Sequence, residues 1–286
     1  MADTTGGWGS GLLGVIIFSG SLPATRVAVA DFDPVFLTCA RAVIAALLGG
    51  LFLLVLRQRR PARGDMAALT IVALGVVVGF PLLTALALQS ITAARSIVFI
   101  GLLPLATACF GVLRGGERPR AAFWLFSIMG AGTVAGFALS GGDAGSWRGD
   151  LLMVAAIILC GLGYAEGATL SRRLGGWQVI SWALLLSLPP MVLVALFASR
   201  PDWTAVSTGG WTGLAYVSVF SMLIGFVFWY RGLARGGIAG VGQLQLLQPF
   251  FGLVLSGALL DESIAWPMLA STIAVVLCVA GAKRYS

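Results

Sequence analysis

The chain has 286 residues, of which 59% are hydrophobic and only 10% charged, and its formal net charge is +7. Soluble domains carry about 25% charged residues, and surface-to-volume scaling leaves a soluble fold of this length nowhere to hide so much apolar surface. A soluble fold is therefore excluded, and the positive charge is read as a membrane-orientation signal because it sits in short loops between apolar runs.

The expected class is an all-α integral membrane protein. A helix needs about 20 residues to cross the hydrocarbon core. In chain order, apolar runs of that size fall at 9–30, 34–56, 66–88, 91–113, 121–140, 150–171, 177–198, 211–231, 238–260 and 265–282. This predicts about ten transmembrane helices. Connections are short, and only 57–65 is strongly polar. No basic stretch precedes the first apolar run, so the first helix is expected to stay in the mature protein rather than act as a cleaved signal.

Alternate loops differ in charge. One set holds Arg57, Arg59, Arg60 and Arg63, then Arg114, Arg118 and Arg120, then Arg172 and Arg173, Arg231 and Arg235, and finally Lys283 and Arg284. The other holds Asp31, Asp33, Asp143, Asp150, Asp202, Asp261 and Glu262, opposed only by Arg148 and Arg200. The positive-inside rule places the first set and both termini in the cytoplasm. Tryptophans at or near segment ends, such as Trp8, Trp147, Trp177, Trp203, Trp211 and Trp266, fit interfacial anchoring.

The chain also repeats itself. Leu88, Ala94, Pro104 and Glu117 recur as Leu233, Ala239, Pro249 and Glu262, each pair separated by 145 residues. Duplication predicts two halves, 1–143 and 144–286, of five helices each. Five is odd, so the second half must enter the membrane inverted relative to the first, an architecture that recurs in alternating-access transporters. Pro104 and Pro249 are expected to break their helices, because proline removes a backbone hydrogen bond. Pro23 and Pro81 also fall within apolar runs. GxxxG pairs at Gly7/Gly11, Gly75/Gly79, Gly111/Gly115, Gly132/Gly136 and Gly163/Gly167 suggest close helix packing.

Several chemistries lack their parts. There is no GxxxxGK[ST] loop for ATP and no GxSxG for a serine hydrolase. Histidine is absent, which removes His-based zinc sites, and Lys283, the only lysine, sits at the tail, which removes a retinal Schiff base. Cys39, Cys109, Cys160 and Cys278 lie within apolar segments without CxxC spacing and read as core residues. No enzyme, cofactor, metal, nucleic acid or ATPase subunit is called for. The partners expected are a small-molecule substrate and the lipid bilayer, with a monomer as the simplest assembly.

Ionisable groups inside apolar segments cost at least ~2.5–3.5 kcal/mol and mark functional sites. Glu166, the acidic residue deepest in a helix, could bind a substrate ammonium or carry a proton. Arg41, about 10 Å below the outer surface at 1.5 Å per residue, suits a substrate carboxylate, and Arg95 is a second candidate. Arg26 lies close enough to the interface to snorkel. The apolar run 238–260 carries Gln243, Gln245 and Gln248, of which the last two share a helix face about 60° wide. Tyr164 and Trp182 could stack on a ring. Whether these groups converge is left open by the sequence.

The motifs resemble those of the drug/metabolite transporter superfamily, in its EamA family. The resemblance rests on Arg26, Pro34 and Arg41, on Leu102-Leu103-Pro104 through Gly116-Glu117, and on Leu247-Gln248-Pro249 through Asp261-Glu262, where Asp261 replaces the usual glycine. Within the superfamily the chain is similar to aromatic amino-acid exporters of the YddG type. That implies efflux of Phe, Tyr, Trp or other hydrophobic amino acids from a bacterial inner membrane. The alternatives are export of drugs or other metabolites, or a passive channel.

Overall fold

The computed structural model describes residues 4–140, 146–199, 201–260 and 266–285. Asp143, Arg200, Asp261 and Glu262, used above for orientation and repeat, lie outside the described residues, as does the expected boundary at 143/144. The described residues are all helical or loop. In order the helices are α1 (Thr4–Ser19), α2 (Ser21–Ala28), α3 (Pro34–Val55), α4 (Met66–Val72), α5 (Phe80–Ala87), α6 (Ala93–Ile100), α7 (Leu103–Gly115) and α8 (Ala121–Ser140). They continue as α9 (Trp147–Leu174), α10 (Gly176–Phe197), α11 (Thr208–Ala215), α12 (Gly225–Gly236), α13 (Ile238–Gly242), α14 (Gln248–Leu260) and α15 (Trp266–Tyr285). Among the described residues six helical stretches are long and apolar enough to cross a membrane: Gly6–Ala28, Pro34–Val55, Arg63–Ala87, Trp147–Leu174, Gly176–Phe197 and Thr208–Gly236.

Local chemistry sets the boundaries. Asp33 Oδ1 accepts from the N–H groups of Val35 at 2.9 Å and Phe36 at 3.1 Å, and Pro34 follows where a missing N–H costs nothing, so α3 starts there. Asp150 in the first turn of α9 and Arg172 and Arg173 in its last turn complement the helix dipole. That helix stops at Gly175, whose φ of +93° a side chain would resist.

The spans predicted at 91–113 and 238–260 are not continuous α-helices. The first breaks between α6 and α7, just before Pro104, which has no N–H to return to the carbonyl of Ile100. The second runs as α13, then a tight 3-10 stretch Gln243–Leu247, then α14, with Pro249 at the second position of α14. Two further stretches widen to π-helix, Ala73–Gly79 between α4 and α5 and Tyr216–Ile224 between α11 and α12. Shifting 73–79 by 145 residues gives 218–224, which falls inside the second π-helical stretch.

The bundle is apolar inside and out. Trp229, Tyr230, Ile180 and Leu184 are fully buried, while Leu47, Leu54, Leu113 and Phe197 are exposed. An exposed apolar surface of this extent is stable only against lipid. The most extensive helix contacts join α1 to α12 and α3 to α10. Bare backbone allows the first: a Cβ on Gly232 would sit 2.7 Å from the Cα of Gly11. Gly75 likewise meets α9, where a Cβ would lie 2.6 Å from the carbonyl oxygen of Leu159. Around Gly132 and Gly136 there is nothing within 4 Å, so that GxxxG pair makes no close helix contact among the described residues.

Candidate substrate site

Arg41 lies on α3 and is 6% exposed. Its Nη2 donates to Ser221 Oγ at 3.1 Å, and Ser21 Oγ donates to the same hydroxyl at 2.7 Å. Its Nε has no hydrogen-bond partner, and none of the ion pairs among the described residues includes it. A buried guanidinium held by neutral hydroxyls is a desolvated cation whose charge is unmatched, and a carboxylate is the anion its planar fork fits.

The guanidinium borders a small central cavity of about 30 Å³, lined also by Phe18, Phe80, Thr84, Tyr164, Phe226 and Gln248. That is room for about one water. The walls are aromatic: Phe18 meets Phe226 edge-on at 5.0 Å, and Tyr164 lies 5.9 Å from Phe226 and 5.4 Å from Trp229. Gln248 Nε2 donates to the carbonyl of Phe18 at 3.4 Å, while its Oε1 is buried and unpaired. A cation, an unpaired amide oxygen and aromatic edges thus surround one small space. The first could take a carboxylate, the second an ammonium and the third a hydrophobic side chain.

Of the residues singled out from sequence, Arg41, Tyr164 and Gln248 meet at this cavity. Gln243 and Gln245 are fully buried in the 3-10 stretch and do not line it; both polar atoms of the Gln243 amide are unpaired, and the Gln245 amide lies against the Tyr164 hydroxyl. Trp182 is half-buried against the core and also stands apart from it. Arg95 and Glu166 are engaged elsewhere. Arg95 makes a two-pronged pair with Asp150, at 2.9 Å and 2.8 Å, and Glu166 accepts from Arg114 Nε. Arg26 donates to the carbonyl of Leu88.

These two ion pairs bracket the broken helix. Arg95 is on α6 and Arg114 on α7, while both acidic partners are on α9, sixteen positions apart, or roughly 24 Å at helical rise. Glu117, just past α7, adds a third tie. Its carboxylate accepts from the N–H groups of Ile238 and Ala239 at 2.6 Å each, capping α13, and from Arg172 at 3.2 Å.

Sequence reasoning missed Ser21, Ser221, Phe18 and Phe226. The two serines are 200 positions apart, and Ser221 lies in a π-helical stretch, where a count of 3.6 residues per turn misassigns faces. Serine within an apolar run was the available signal.

Two segments, residues 6–139 and 147–282, match the EamA-like transporter family. The chain belongs to that family. It is 63% identical over its whole length, and that of the relative, to YdeK, an uncharacterized transporter of Bacillus subtilis. It is 24% identical to a probable terminal-alkyne amino-acid exporter of Streptantibioticus cattleyicolor, over 88% of this chain and 84% of that one. A solved crystal structure at 18% identity superposes with a TM-score of 0.80, covering 98% of this chain and 99% of the other, which shows a shared fold. The protein is thus a multi-pass membrane transporter.

Proposed function

We propose that this EamA-family protein is a secondary transporter that exports amino acids, aromatic and other hydrophobic ones, across a bacterial inner membrane by alternating access. The observation that carries the reading is Arg41, a buried guanidinium without a carboxylate, set against aromatic walls and the unpaired oxygen of Gln248. Arg41 takes the substrate carboxylate, Gln248 its ammonium, and Tyr164 with Phe226 its side chain. Gln243, Gln245 and Trp182 line the space that opens when helices part, because a 30 Å³ cavity cannot admit an amino acid without movement.

In this reading ten helices cross the membrane, α6–α7 and α13–α14 each counting as one broken crossing. Residues 1–143 and 144–286 form inverted halves, with both termini cytoplasmic. The matching π-helical stretches at an offset of 145 residues support the duplication. Arg95–Asp150 and Arg114–Glu166 are the contacts that hold α6 and α7 against α9 and must loosen in turn as access alternates. A single chain suffices.

The test is counterflow in proteoliposomes with labelled phenylalanine, tryptophan and leucine, with and without a pH gradient. The expected result is saturable exchange that unlabelled aromatic amino acids compete for and phenethylamine, which lacks the carboxylate, does not. Export of a carboxylate-free cation with equal efficiency would favour a multidrug exporter, and unsaturable flux a channel.

A further inference from the structure

The arginine-rich end of the bundle holds a second, larger cavity, of about 680 Å³, between the end of α9, the start of α10 and the last turns of α12. Arg172, Arg173, Arg231 and Arg235 line it. Arg172 is tied to Glu117 and Arg173 to Asp65. Arg231 and Arg235 have no ion pair among the described residues. The cavity therefore carries two cationic side chains beyond those its neighbouring carboxylates match.

Two further features aim at the same space. The 22-residue helix α10 begins there, with no side chain capping its N-terminus; Val179 N–H is the first to find a carbonyl, that of Gly175 at 3.1 Å. The preceding residues, Gly176, Trp177 and Gln178, line the cavity, so the positive end of the helix dipole lies at its wall, an arrangement that favours an oxyanion. Ser171, which lines the cavity and is 6% exposed, holds a buried Oγ with no hydrogen-bond partner. A hydroxyl buried without a partner is costly unless a ligand atom completes it. Trp177 forms part of the wall, and indole rings favour the headgroup level of a bilayer.

We infer that this cavity binds a phosphate group, presented by an anionic phospholipid of the surrounding bilayer. The two unmatched arginines supply the charge, the α10 amides and Ser171 hydroxyl supply directed donors, and the Trp177 face takes the glycerol backbone. Basic pockets between transmembrane helices bind anionic lipid headgroups. The site is distinct from the Arg41 cavity and needs no transport step.

The experiment titrates the purified full-length protein, in neutral detergent, with phosphatidylglycerol, phosphatidylcholine or inorganic phosphate. It reads the thermal unfolding midpoint and the lipid retained in native mass spectra. Phosphatidylglycerol is expected to raise the midpoint and stay bound, and phosphatidylcholine is not. R231Q/R235Q should weaken phosphatidylglycerol about 25-fold, or fivefold per arginine, which matches roughly 1 kcal/mol for each cation near an anionic surface. S171A should weaken it about threefold, and the control R59Q/R60Q, which removes the same charge from an exposed loop, less than twofold. Inorganic phosphate that competes through the same residues would assign the pocket to the phosphate itself, with the soluble ion as its source. Equal binding of both lipids, equal losses in R59Q/R60Q and R231Q/R235Q, or wild-type affinity in R231Q/R235Q would each overturn the inference. Should R231Q/R235Q fail to fold, S171A decides, and an unchanged affinity there overturns it.

Discussion

The centre of the bundle and its arginine-rich end treat buried charge in opposite ways. At the end, among the described residues, the buried Asp65 and Glu166 and the half-buried Glu117 each meet an arginine from another element: Asp65 with Arg173, Glu117 with Arg172, Glu166 with Arg114. At the centre, Arg41 is as deeply buried as Glu166 but meets only hydroxyls. Paired charges fix how helices sit, since separating them strands an ion. An unpaired buried cation costs stability in the folded protein and gives that cost back when an anion arrives. The contrast separates positions that hold the fold from a position kept for a ligand, though both look alike as ionisable residues in apolar helices.

The largest expected effect tests that contrast directly. R41M should lower kcat/KM for carboxylate substrates by at least about 30-fold, since removing one partner of a buried charge pair costs about 2–5 kcal/mol. The same variant should unfold at an equal or higher temperature, because it deletes an unmatched charge. A drop in both would make Arg41 part of the scaffold and erase the distinction. E117A should do the reverse. Loss of the cap on α13 is expected to cost about 1–2 kcal/mol in thermal or denaturant unfolding, with substrate preference unchanged.

Smaller effects sharpen the picture. Q248L should raise KM for phenylalanine about three- to tenfold, the worth of one hydrogen bond of about 0.5–1.5 kcal/mol, and leave affinity for the deaminated analogue unchanged. E166Q is expected to cost least, about 0.5–1 kcal/mol of stability, because Arg114 is half-exposed and water takes over its solvation. In a double-mutant cycle E166Q and R114Q should couple, while E166Q and R41M should add. Coupling between Glu166 and Arg41 would join the two regions and return Glu166 to the substrate path.

Much of this was legible in the residues. Composition pointed to the membrane, six of the apolar runs recur as long apolar helices among the described residues, and two others are interrupted next to Pro104 and Pro249. The depth of Arg41 and Glu166 could be counted along a helix. Their partners could not, because pairing depends on which face α9 turns toward α7 and which face α3 turns toward residues 216–224, and that is set by packing between segments far apart in sequence. The glutamines show a different limit. A 60° separation between Gln245 and Gln248 assumes an unbroken α-helix, whereas residues 243–247 form a 3-10 stretch and Gln248 begins a new helix. Irregular winding shifts the side chains that follow it, and no periodic rule survives that shift.

The close seat of Gly11 on Gly232 sets a timetable for biosynthesis. A ribosome adding about 5–20 residues per second needs roughly ten to forty seconds to pass from one glycine to the other. For that interval α1 is already made while α12, its main partner, is not. Its glycine-lined groove must wait in lipid or against the insertion machinery, shielded from helices that would dock there wrongly. The last-made third of the chain thus completes the packing of the first.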